Sequence, residues 1–230
     1  MTLSEQQISL CKFGAYCAII ASISYAIVTL IALLLPPSIA TYSASPQYFI
    51  DFKEVKHIFL TLKTVHSIAN LGMIGVVVTF LSLCRNKHYG LILWCTVIAI
   101  IGYAVGIVQN VQDASLIPHL VKQYEIGTPL MQQTILTIGI ANPFLFIISL
   151  GFPGIWFIVV SLIGHSNKHI PTPLIYLGLL WGIGNVLTAV AHAFMYINII
   201  YLIALGALIF APLWGFMEAF YLFKLIKINQ

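Results

Sequence analysis

Polar and apolar positions along the chain are patterned on two scales. On the longer scale, six apolar runs lie near residues 13–35, 60–83, 90–111, 134–162, 173–195 and 199–222. Short stretches rich in Lys, Asp, Glu, Asn and His separate them. A helix crosses the hydrocarbon core of a bilayer with about 20 mostly apolar residues. No water reaches that depth, so each backbone N–H and C=O must be satisfied within its own segment, which a helix does. The period-two alternation of a transmembrane barrel is missing from the runs. The expected fold is all-α: a polytopic transmembrane bundle of six helices, one integral membrane domain over residues 1–230, with short outer interfacial segments.

On the shorter scale, successive residues of a helix turn by about 100°, which sorts each run into faces. In the fifth run Gly178, Trp181, Gly182, Asn185, Thr188, Ala189 and His192 share one side, opposite Leu179, Leu180, Ile183, Val186, Leu187, Val190 and Phe194. The third run sets Ala99, Gly102, Gly106, Gln109, Asn110 and Asp113 against Val97, Ile100, Ile101, Val108 and Val111. The sixth groups Ala204, Ala207, Ala211, Gly215 and Glu218; the fourth groups Gly139, Asn142, Phe146, Ser149 and Pro153. Small residues let helices approach closely, and polar ones face protein or trapped water. These faces therefore point into the bundle.

Two outer connections carry the same period. "PQYFIDFKEVKHIFLTLK" (46–63) puts Phe49, Phe52, Val55, Phe59 and Leu62 on one side of a helix, and "SLIPHLVKQYEIG" (115–127) collects Leu116, Ile117, Leu120, Val121 and Tyr124 after a Ser115 cap. Amphipathic segments of this kind lie on a membrane surface. For the first, an early start of the second membrane helix is an equal alternative.

Composition agrees with the pattern. The chain is 60% hydrophobic and 7% charged, with a mean hydropathy of +1.02. A soluble domain carries about 25% charged residues, so the expected solvent is the lipid bilayer. The net charge is +4. With both termini cytoplasmic, Lys12, Arg85, Lys87, Lys168, Lys224 and Lys227 lie inside, and Lys53, Lys56, Lys63 and Lys122 lie outside. That bias favours this orientation. The positives are too few and scattered for a nucleic-acid surface. The first run is too long for the apolar core of a signal peptide and reads as a retained helix. Cys11, Cys17, Cys84 and Cys95 form no CxxC pair and read as small apolar fillers without disulfides.

In this orientation the inward polar residues gather in the outer half of the membrane. The candidate ligand-binding set is His66, Asn70, Gln109, Asn110, Asp113, Asn142, Thr188 and His192. Isolated polar side chains in lipid are costly and seek one another. The expectation is one outer cavity shared by His66 and His192, with Asn70, Asn110 and Asn142 in its wall and Asp113 at its mouth beside an imidazole. Such a cavity suits binding or transport of a small polar or amphipathic ligand. Pro153 between Gly151 and Gly154 should disturb regular hydrogen bonding of the fourth helix within Ser149–Gly154, either as a break like those of transporter helices or as an ordinary proline kink relaxed by its neighbours. Alternatives are a bundle whose polar residues only join helices, a metal site on His66, Asp113 and His192 with His119 above, or axial haem ligation by His66 and His192. No phosphate loop, dinucleotide motif or nucleophile motif occurs, so no cofactor is implied and the reading leans away from an enzyme. Glu218 is expected at the inner interface, reaching headgroup water, the alternative being a buried group that is protonated or paired with Lys12 or Arg85.

The stretch "SLGFPGIWFIVVSLIGHSNKHIPTPLIYLGLLWGIGNVLTA" and the later "APLWGFMEAFYLFK" (211–224) resemble a family of small bacterial membrane proteins of unknown function. There, a glycine- and aromatic-containing helix runs through a polar turn and Ile-Pro into a Leu-Gly-rich helix. The resemblance implies a multi-pass fold in the bacterial inner membrane and no activity.

Overall fold

The computed structural model describes residues 3–42, 44–83, 88–140, 143–165, 170–194 and 197–229, excepting the side chains of 143, 197–202 and 205. Among the described residues there are eight helices and no strand: α1 (Glu5–Leu34), α2 (Pro37–Ala40), α3 (Pro46–Leu83), α4 (Tyr89–Ile126), α5 (Pro129–Ile138), α6 (Pro143–His165), α7 (Thr172–Ala193) and α8 (Ile197–Ile228). Six are long and apolar enough to cross a membrane. The protein is a multi-pass membrane protein. The turns holding Cys84, Arg85, Lys87, Lys168 and His169 lie outside the described residues.

The six long helices form a closed ring. α1 packs on α3, α3 on α4, α4 on α6, α6 on α7 and α7 on α8, and α8 returns to α1. Leu3 N–H donates to Asn229 Oδ1 at 2.9 Å, so both chain ends lie at one end of the ring, called the inner end below. Close seams need small residues. A Cβ on Gly182 would stand 2.8 Å from the Gly154 carbonyl oxygen, and one on Gly102 would stand 2.4 Å from Pro153 Cδ. Leu180, Ile183, Leu187 and Val190 point outward, as their helical face requires.

The inner half of the ring is packed with aromatic rings. Trp156 meets Phe80, Phe157 and Trp214 with centroids 5.6, 4.9 and 6.3 Å apart. Its Nε1–H donates to Thr96 Oγ1 at 3.2 Å, which meets the need of a buried indole for a partner.

Three readings of the helices are decided by the fold, in part against expectation. First, residues 46–63 are an early start of the second membrane helix, α3, whereas residues 115–127, expected as a separate surface segment, continue α4 through Pro118. Ser115 is no cap: its hydroxyl donates to the Gln112 carbonyl within the helix. Each helix has 38 residues, about 57 Å at 1.5 Å per residue, nearly twice the ~30 Å core. The two amphipathic faces meet each other instead of lipid headgroups. Phe49 stacks on Tyr124 at 4.0 Å, Lys53 pairs with Glu125, and Phe52, Phe59, Ile117 and Val121 join Leu35, Ile39 and Ile135 in a second apolar core.

Second, α6 runs unbroken through Pro153. The interruption of the 134–162 run falls instead after α5, where Gly139 takes φ +84°, a region glycine enters without steric cost. At Pro153 the ring fills the space that Gly102 leaves open on α4, so the neighbouring helix absorbs the proline.

Third, Glu218 does not reach the interface. It is 1% exposed, and its Oε2 has no hydrogen-bond partner among the described residues. The small-residue seam between α1 and α8, with Ser22 Oγ against Gly215, encloses that face of α8.

Candidate functional site

Aromatic packing stops partway up the ring, and above it lies a cavity of about 190 Å³ to which all six long helices contribute. The wall follows from helical spacing. Lys63, His66 and Asn70 of α3 are three and seven residues apart. So are Tyr103, Gly106 and Asn110 of α4, Phe146, Ser149 and Pro153 of α6, and Asn185, Thr188 and His192 of α7, and all twelve line the cavity. This i, i+3, i+7 spacing presents one face of each helix, and ring closure turns the four faces toward one volume.

Of the expected residues, His66, Asn70, Gln109, Asn110, Thr188 and His192 line this cavity. Asn142 lies outside the described residues. Asp113 is buried at 8% exposure and is not part of the wall. Sequence reasoning missed Lys63 and Tyr103 altogether, and did not single out Tyr25, Trp181, Asn185 and Ser149 as wall residues. The signal for Lys63 and Tyr103 was present: each falls seven residues before an asparagine already in the set.

Most polar groups of the wall are held by one another. The Tyr25 hydroxyl donates to Asn70 Oδ1 at 3.2 Å, and Ser149 Oγ donates to Gln109 Oε1 at 3.2 Å. His192 Nδ1 lies 2.8 Å from the Thr188 carbonyl oxygen. A carbonyl only accepts, so Nδ1 carries the proton and Nε2 keeps the lone pair. The His192 ring stacks on Phe146 with centroids 4.4 Å apart and 22° between planes. Tyr25 meets His66 and Trp181 edge-on at 5.9 and 5.4 Å, which links α3, α1 and α7 across the cavity.

An ion pair closes one edge. Lys63 Nζ donates to Asp113 Oδ2 at 2.6 Å and also to the Tyr42 hydroxyl. It stands over the Tyr42 and Phe59 rings, 4.8 and 5.3 Å from their centroids. The Tyr42 hydroxyl donates to the same Asp113 oxygen at 2.8 Å. Burial, and then the Asp113 carboxylate, push the Tyr42 phenol well above its ordinary range, so it keeps the proton it donates. The expected partner of Asp113, an imidazole, is thus replaced by Lys63. An ammonium offsets the desolvation of a buried carboxylate by its charge, whereas a neutral imidazole offers only a hydrogen bond.

Two of the most deeply buried donors of the wall lack a partner among the described residues. Asn110 Nδ2 and the Tyr103 hydroxyl are buried without a hydrogen-bond partner among the described residues. An unmet buried donor costs about 1–3 kcal/mol, so such groups in a cavity wall are informative.

The metal and haem alternatives fit less well. Among the described residues no three His, Cys, Asp or Glu side chains come together as metal ligands. His119 is exposed on α4. His66 and His192 do share the cavity. Its volume of about 190 Å³ is close to the ~150 Å³ that holds one benzene, and a porphyrin would require the ring to open.

The chain matches no family model, and no curated protein and no solved structure is significantly similar to it.

Proposed function

We propose that this protein binds a small ligand in its outer cavity. The carrying observation is that six residues expected from sequence to form a site line one cavity, in a ring whose inner half is densely packed. A purely structural bundle would gain more by closing this space, since lost contacts at a void of this size are destabilising. Transport has less support than binding. It calls for a helix broken at 149–154, and α6 is continuous there. The reading includes a bacterial inner-membrane location, as the family resemblance implies. It also includes cytoplasmic termini, as the Lys/Arg distribution favours.

The test is thermal stabilisation of the protein in nanodiscs by a panel of ring-sized compounds. A ligand held at 100 times its Kd stabilises by about 2.7 kcal/mol. At least one compound should raise the unfolding midpoint of the wild type but not that of Ala204→Phe, which fills the cavity wall. His66→Ala, His192→Ala and their double should lose the ligand effect in a coupled manner. No stabilisation by any compound, or equal stabilisation of Ala204→Phe, overturns the reading.

A further inference from the structure

Resting on that ligand-binding reading, we infer that the cavity takes a neutral, planar ring bearing a carbonyl oxygen. This chemistry has two sources, a free aromatic carboxamide and the headgroup of a membrane quinone.

Size sets the first limit. A cavity of about 190 Å³ exceeds the ~150 Å³ that accommodates benzene by enough for a substituent. Shape sets the second. The wall is built of flat surfaces: Tyr25, Phe146, Trp181 and His192 all line it, and Phe146 and His192 already stack nearly parallel. Aromatic faces favour a flat partner in offset or edge-on contact.

Charge sets the third. Among the described residues Lys63 is the only Lys, Arg, Asp or Glu in the wall. Its ammonium is engaged by Asp113 and Tyr42. The pair with Asp113 is already neutral, so an anionic ligand would either add an uncompensated buried charge or displace Asp113 and leave its carboxylate unpaired. A cationic one would meet Lys63 with no free acid to balance it. Both carry a large desolvation cost, and a neutral ligand avoids it.

The functional group follows from the leftover donors. Asn70 Oδ1, Gln109 Oε1 and His192 Nδ1 are engaged. Asn110 Nδ2 and the Tyr103 hydroxyl are not, among the described residues. They are 4% and 3% exposed, line the cavity and stand two turns apart on one face of α4. Rotation of the Asn110 amide about its terminal torsion, which is soft, turns its N–H toward the cavity. Two unmet donors call for an acceptor, and a carbonyl oxygen has two lone pairs.

The experiment measures equilibrium binding to the full chain in nanodiscs by quenching of tryptophan fluorescence, with toluene, benzamide, duroquinone, benzoate and benzylamine as probes. Benzamide or duroquinone should bind about tenfold or more tightly than toluene, the gain of meeting a buried donor. Asn110→Leu should abolish that preference while toluene binding persists. Tyr103→Phe, which keeps the ring, should reduce it in a wall that remains packed. Preference for benzamide identifies the free amide as the source, and preference for duroquinone the membrane quinone. Toluene binding as tightly as both carbonyl compounds overturns the inference and leaves ligand binding standing. Tighter binding of benzoate or benzylamine overturns it in favour of a charged ligand. Binding by none of the five, with Ala204→Phe unchanged in behaviour, removes the ligand-binding reading and the inference together.

Discussion

Replacing Asp113 by Asn keeps the shape of the side chain and removes its charge, leaving the Lys63 ammonium without a counter-ion. Lys63 and Asp113 are 5% and 8% exposed and 2.6 Å apart. Removing one partner of a buried pair costs about 3–5 kcal/mol, because a lone charge stays in a poorly polarisable place. Here the lower end applies. The Tyr42 hydroxyl and two ring faces stay beside Lys63, and the carbonyl of the introduced amide can still accept. The expected cost is about 3 kcal/mol, which for a chain of this length lowers the unfolding midpoint by about 6–12 °C. Lys63→Met should cost as much, by stranding the carboxylate. The double variant Lys63→Met/Asp113→Leu should recover most of the loss, since well-packed apolar replacements of buried pairs are often neutral. The assay is the thermal unfolding midpoint of all four proteins in one detergent, read as a double-mutant cycle. Single variants within about 1 kcal/mol of wild type, or a double variant as damaged as the sum of the singles, would refute a buried, mutually dependent pair.

Other outcomes follow from the same packing. Gly182→Ala should lower the midpoint by about 1–3 kcal/mol equivalent through overpacking, because its Cβ meets the Gly154 carbonyl oxygen. Gly206→Ala, with open space around its Cβ position, should be neutral or stabilising by up to about 1 kcal/mol from helix propensity, and a comparable loss at both positions contradicts the seam. Glu218→Met should raise the midpoint by about 1 kcal/mol by removing a buried carboxyl oxygen that has no partner among the described residues, and a fall would reveal a partner for that carboxyl. Tyr42→Phe should cost about 1.5 kcal/mol, the value of a hydrogen bond to a charged group, and no change in midpoint would remove Tyr42 from the Asp113 network. A cytoplasmic reporter fused after Gln230 should be active and one inserted near Gly127 inactive, and the reverse pattern overturns the orientation.

Membrane class, span number and the inward faces of α4, α7 and α8 were legible in the one-dimensional pattern. These properties are dictated by the solvent: lipid forces backbone pairing within each segment, and the helical period then assigns faces residue by residue. The same logic identified six wall residues, from His66 to His192, because inward faces of a closed ring share one interior. What it left undecided were choices between partners. The apolar stripe of 46–63 fits a membrane surface or another helix equally well, and only the stripe of 115–127 lying opposite it extended α3 and α4 together. Pro153 reads as a break until Gly102 on α4 supplies room for its ring. From sequence alone Asp113 pairs with an imidazole, because Lys63 falls in a segment that reads as lying outside; continuity of α3 turns that lysine inward by seven residues' spacing from Asn70. Glu218 is equally ambiguous, since burial of one helix face is set by the helix packed on it. Apart from the facing of Lys63, which its spacing from Asn70 carries, each of these was settled by contacts distant in the chain, to which local periodicity is blind.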